Sequence, residues 1–155
     1  MTHYLFGEIN SESAAALIGA VDAGCLHISI NSQGGDIEDG LAIYDCLRRV
    51  PGISVEATGR CMSAAVLVLL GADCRLATPH TRFMLHAPFV SSYADVDFEE
   101  IAAAKAEVDD LTLVLQKIIL ERTHDKCAAA LCSGPVSTYF TVDDAREMGI
   151  LNSLQ

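Results

Sequence analysis

The chain has 155 residues, 51% of them hydrophobic, and a formal net charge of −11 from 21 acidic and 10 basic side chains. That length fits one domain, residues 1–155, whose folding hides about two-thirds of the surface its unfolded form would expose. The charge repels phosphate backbones and anionic headgroups, so neither nucleic acid nor a membrane is an expected partner. The longest apolar run, Ala64 to Ala72, is also far short of the roughly 20 residues that span a bilayer.

A mean hydropathy of +0.33 is high for a small soluble chain and points to apolar surface covered by further copies in a homo-oligomer. The six cysteines (Cys25, Cys46, Cys61, Cys74, Cys127 and Cys132) form no C-x-x-C pair and match no common zinc spacing with the histidines. They read as buried thiols, with no metal and no cofactor implied. No signal peptide opens the chain, so a cytoplasmic location is expected.

Tyr4 to Phe6 reads as a strand, and Asn10 or Ser11 caps an alanine-rich helix running to about Ala23. Cys25 to Ile30 alternates and is rich in β-branched residues, which predicts a second strand, followed by a turn over Asn31 to Gly35. Asp36 to Val50 carries Ile37, Leu41, Ile43, Tyr44 and Leu47 at helical spacing and stops at Pro51-Gly52. Ile53 to Ala57 is the next strand, Thr58-Gly59 a turn, and Ser63 to Leu70 a short helix apolar on every side and therefore buried. Arg75 to Ala77 and Arg82 to Leu85 are strands, the second ending at His86-Ala87-Pro88. A long helix from about Asp97 to Arg122 bears an apolar stripe (Phe98, Ile101, Val108, Leu111, Leu115, Ile118), which either packs on another chain or folds back on its own sheet. Ser133-Gly134-Pro135 is a loop, and Thr141 opens a last helix to about Met148. Strand and helix alternate, which predicts an α/β fold with a mostly parallel sheet and ligands gathered at the carboxyl ends of the strands.

Three of those strand ends carry residues suited to acyl transfer, which needs a nucleophile, a neighbouring base and backbone N–H donors for the developing oxyanion. Gly34-Gly35 supplies backbone able to take positive φ, or is an ordinary glycine turn. Ser63 stands at a helix N-terminus as a nucleophile or simply as an N-cap. It lies in Met-Ser-Ala, outside the G-x-S-x-G elbow. His86 is a base or a structural strand-end histidine.

In order along the chain come Asn31-Ser32-Gln33-Gly34-Gly35, Ile43-Tyr44-Asp45, Gly59-Arg60-Cys61-Met62-Ser63 and Arg82-Phe83-Met84-Leu85-His86-Ala87-Pro88. With Ala145-Arg146-Glu147-Met148-Gly149-Ile150 near the end, these segments resemble the proteolytic subunit of Clp protease from about Tyr4 to Leu154. The resemblance implies a crotonase-like spiral of βαβ units with a projecting handle helix, residues 89–125. It implies Ser63 as nucleophile, His86 as base, and the amides of Gly35 and Ala64 as oxyanion hole. It further implies heptameric rings, stacked in pairs through the handles, that cleave short or unfolded peptides in a chamber. An ATPase unfoldase is the implied partner, although the chain begins almost at its first strand, without the family's axial segment that contacts that ATPase.

At the family's triad aspartate position this sequence has Ser137, and Ala64-Ala65 replaces the family's Met-Gly pair beside the nucleophile. Ser137 is the candidate third member: its hydroxyl accepts the imidazole N–H but brings no charge, so hydrolysis slower than that of a full triad is expected. Two other readings stand beside the serine peptidase: a ring subunit that cleaves weakly or not at all, and a crotonase-type acyl-CoA enzyme that uses the same paired amides on a thioester enolate.

Overall fold

In the computed structural model, which describes residues 1–89, 97–134 and 136–153 and all their side chains except that of Cys127, capped helices alternate with β-rich segments. The order is β1 (Thr2–Ile9), α1 (Ser11–Asp22), β2 (His27–Gly35), α2 (Ile37–Arg48), β3 (Ser54–Met62), α3 (Ala64–Gly71), β4 (Cys74–Ala77) and β5 (Arg82–Leu85). After the undescribed residues come α4 (Phe98–Thr123), α5 (Lys126–Ala130), β6 (Thr138–Phe140) and α6 (Val142–Glu147). Part of the expected handle (90–96), Pro135 of the expected loop and residues 154–155 lie outside the described residues.

Side chains set the helix starts as expected. The Asn10 carboxamide accepts the Ser13 N–H, Asp36 accepts from Asp39, and Asp97 and Thr141 each close a capping box.

The sheet runs β1-β2-β3-β5-β6, and β4 also pairs with β3. Every pairing among β1 to β5 is parallel, and β6 runs antiparallel to β5. Strand β3 changes partner along its length: Ser54 to Ala57 pair with β4, and Arg60 to Met62 pair with β5. The hinge is a register shift against β2, where Ile30 faces Ala57 but Ser32 already faces Cys61. The Asn31 carboxamide accepts the Arg60 N–H there, 3.2 Å away, and replaces a ladder bond that the bulge breaks.

This corrects two expected turns. Asn31–Gly35 is the end of β2, and Thr58-Gly59 is a bulge inside β3. Helix α5 and strand β6 are additions that no sequence pattern predicted.

Helix α3 is buried at every residue, so its five large aliphatic side chains, Val66 to Leu70, contribute about 1.5–3 kcal/mol each to the core. Its last carbonyls would be orphaned in that apolar setting. Two arginines answer them: Arg122 of α4 donates to Leu70 and Ala72 at 2.8 Å each, and the buried Arg75 donates to Ala72 at 3.5 Å while also binding the carbonyls of Ile150 at 2.8 Å and Gly149 at 3.1 Å. Burial lowers the Arg75 guanidinium to about 10, which still leaves it charged near neutrality.

Helix α4 is divided. Leu115, Ile118 and Ile119 fold back onto the core, whereas Phe98 is 83% exposed and Ile101, Leu113 and Val114 also face outward. The fold-back reading of its apolar stripe therefore holds for Leu115 and Ile118, while Phe98 and Ile101 stay exposed on this chain. No helix among the described residues is long and apolar enough to cross a membrane.

Replacing Arg122 with Met leaves the Leu70 carbonyl without its donor inside the core. The expected cost is about 2 kcal/mol, which in a chain of this length lowers Tm by about 4–8 °C. Thermal unfolding that is unchanged within 1–2 °C (roughly the error of the scan) would contradict this role for the guanidinium.

Candidate active site

Strands β2, β3 and β5 are parallel neighbours, so their carboxyl ends reach the same edge and bring Gly35, Ser63 and His86 together. All three, with Ala64, line one cleft of about 630 Å³.

Ser63 occupies the N-cap position of α3 with φ 53° and ψ −125°, and its hydroxyl makes no capping bond. The simple capping reading therefore fails. A β-carbon at positive φ is strained, by about 1–3 kcal/mol, and such strain persists only where the surroundings impose it. Here the Ser63 N–H donates to the Met84 carbonyl at 2.8 Å, which ties the serine to β5 two residues before His86. From the other side, Gly34 leaves the space. A β-carbon at Gly34 would stand 2.7 Å from both the Met62 oxygen and the Ser63 β-carbon.

Gly35 is required for a different contact. Its φ is 148°, and a β-carbon there would lie 2.1 Å from the Ile9 oxygen of β1. The bare backbone of the two glycines thus admits neighbouring main chain.

Ala64 is the first residue of α3, so its N–H has no partner within the helix and lies at the positive end of the helix dipole. His86 is half-buried. Its Nδ1 lies 2.6 Å from the Ala87 carbonyl oxygen, and its ring packs against Phe89 with centroids 5.3 Å apart. No hydrogen bond joins Ser63 to His86 among the described residues; they share a wall of the cleft.

Ser137 lies apart from the larger cleft. The antiparallel register that sets Leu85 against Thr138 carries Ser137 alongside His86, and the two line a second, smaller cavity. Ser137 is exposed and makes no hydrogen bond among the described residues.

The rest of the cleft wall escaped sequence reasoning. Val108, Leu111 and Leu115 of α4 face it, although their spacing suggested only packing against another chain or their own sheet. Among the described residues four carboxylates, Glu8, Asp36, Glu38 and Glu107, line it with no lysine or arginine. They come from three elements and one cap, so no local pattern could have grouped them. Cys132 also lines it, but burial pushes its thiol up to about 12, so it stays protonated and weakly nucleophilic.

A parallel sheet whose bulged central strand changes partners, with the site at the carboxyl edge, is a crotonase-like α/β fold. A ClpP1 mutant from Listeria monocytogenes has the same fold, with a TM-score of 0.78 at 25% identity over 97% of this chain and 88% of that one.

The Clp protease family model matches residues 8–155, and the chain belongs to that family. An ATP-dependent Clp protease proteolytic subunit from Platanus occidentalis is 32% identical over 159 residues, covering 96% of this chain and 78% of the relative. The subunit of that name from Bacteroides thetaiotaomicron is 31% identical over 141 residues, covering 88% of this chain. The chain spans 63% of that relative's length.

The strain at Ser63 has a thermodynamic signature. Ser63→Gly relieves positive φ and Ser63→Ala keeps it, while both remove the hydroxyl. After allowing for the greater freedom of unfolded glycine, the glycine variant is expected to be more stable by about 1 kcal/mol. It should melt about 2–4 °C above the alanine variant; the reverse order in calorimetry would contradict a strained serine.

Proposed function

We propose that this chain is a serine peptidase subunit in which Ser63 is the nucleophile and His86 the general base. The observation that carries the reading is the positive-φ serine, held in the cleft beside His86 and the free first N–H of α3.

As the Ser63 Oγ bonds to the scissile carbonyl carbon, its proton passes to His86. The carbonyl oxygen, now negative, is met by the amides of Gly35 and Ala64. The imidazolium then protonates the amide nitrogen as the C–N bond breaks. Water, deprotonated by the same imidazole, hydrolyses the acyl-enzyme. Membership of a protease family favours this reading over the acyl-CoA chemistry that a crotonase-like fold also supports.

The substrates that suit the cleft are unfolded peptides. Leu67, Leu115 and Ile119 offer apolar contact, and the acidic wall favours positively charged flanks. The exposed half of α4, with Phe98 and Ile101, supports assembly into a ring of identical subunits, seven by family resemblance, with a second ring stacked through the handles. The curated relatives are named ATP-dependent, and by the same reading an ATPase unfoldase would feed folded substrates to the chamber. The five described cysteines are free thiols, which suits the reducing cytoplasm.

A second reading, a ring subunit with weak or no activity, is favoured by Ser137 at the acid position. Replacing a triad acid with an amide costs about 10⁴ in turnover in serine proteases.

Hydrolysis of fluorogenic peptides by the assembled protein separates the two. The peptidase reading expects slow turnover that falls to background in Ser63→Ala. It also expects cationic peptides to be cleaved faster than acidic ones, with the preference shrinking as salt rises and screening shortens to about 3 Å at 1 M. Equal background rates for wild type and Ser63→Ala would select the inactive subunit.

A further inference from the structure

A histidine acting as base must present one unprotonated ring nitrogen, and in a triad a carboxylate on the other nitrogen selects that tautomer. The geometry points to the main-chain carbonyl of Ala87 as the positioning group for His86, in place of a carboxylate or the Ser137 hydroxyl. The inference rests on the peptidase reading above.

The Nδ1 to Ala87 oxygen distance is 2.6 Å. A carbonyl oxygen has no proton to give, so Nδ1 must be the donor, and the neutral ring carries its hydrogen there. Nε2 then keeps the lone pair and is the nitrogen able to take the Ser63 proton.

The carbonyl is well held for this task. Ala87 precedes Pro88, whose ring excludes helical backbone at the residue before it. Both residues are half-buried; Pro88 lines both cavities and Ala87 the smaller one. The strand they follow is anchored by the Ser63 N–H to Met84 bond, so base and nucleophile are referred to the same short stretch of main chain. The Phe89 ring, 5.3 Å from the imidazole and tilted by 46°, closes off one direction in which His86 could swing.

Ser137 is poorly placed to compete. It shares the smaller cavity with His86, but it is exposed and its hydroxyl makes no hydrogen bond among the described residues. A carbonyl also differs from a carboxylate in what it supplies. It selects the tautomer, but as a neutral dipole it stabilises the imidazolium less. The expected enzyme therefore has a correctly oriented base and a low kcat, with KM set independently by the cleft.

Two measurements test this, one of them independent of turnover. A crystal structure of the assembled protein should keep Nδ1 within hydrogen-bonding distance of the Ala87 oxygen, in wild type and in Ser137→Ala. A bond from Nδ1 to the Ser137 Oγ overturns the inference whether or not the protein cleaves peptides.

In kinetics, Ser137→Ala should retain kcat within about twofold, whereas loss of an orienting hydrogen bond costs about tenfold or more. Pro88→Gly, which frees the carbonyl, should lower kcat about tenfold with KM within about twofold, because the base is no longer oriented. Merely structural damage to the cleft would raise KM as well. A tenfold loss in Ser137→Ala, or an unchanged kcat in a folded Pro88→Gly, overturns the role of the carbonyl. A wild type inert toward peptides, with the bond to Ala87 intact, counts against the peptidase reading instead.

Discussion

The site depends on one backbone constraint: Ser63 held at positive φ between the Met84 carbonyl on one side and the bare backbone of Gly34 on the other. A serine with ordinary helix-start geometry would turn its hydroxyl toward its own helix as a cap. Forced out of that conformation, it makes no capping bond and faces the cleft. The strain is affordable because α3, which follows at once, is buried along its whole length and closed at its far end by Arg75 and Arg122. A feature costing a few kcal/mol is thus set against a core element that contributes more.

The same arrangement links α4 to the cleft. Arg122 lies near the end of α4 and reaches the last carbonyls of α3, while Leu115 and Ile119 of α4 line the cleft that begins at α3's first residue. Movement of α4 would therefore reach the wall of the cleft directly. The amino-terminal half of α4 is exposed instead, with Phe98 and Ile101 facing outward.

Much of this was legible in the sequence because the signals were local. Asn10, Asp36, Asp97 and Thr141 mark helix starts, and β-branched runs mark the parallel strands. Gly35, Ser63 and His86 follow strands that a parallel sheet must end on one edge, so their meeting could be inferred without coordinates. What escaped was non-local. The bulge in β3 reads as a turn because Thr58-Gly59 has turn chemistry, and only pairing with two strands keeps the segment extended. Strand β6 is three residues long and gains its conformation from pairing with β5. The acidic wall assembles from distant positions, and the Ala87 contact is a matter of rotamer, which no spacing encodes.

By the inference drawn from the His86 contact, the Ala87 carbonyl rather than Ser137 carries part of what a carboxylate would do, which separates orientation of the base from stabilisation of its charge. The proposed chemistry depends on the Ser63 hydroxyl being reactive. Intact-mass analysis of the assembled protein after treatment with a fluorophosphonate tests that directly. One adduct per chain, mapped to Ser63 and absent from Ser63→Ala, is the predicted result; a folded, assembled sample that takes up no reagent, or takes it up elsewhere, would contradict it.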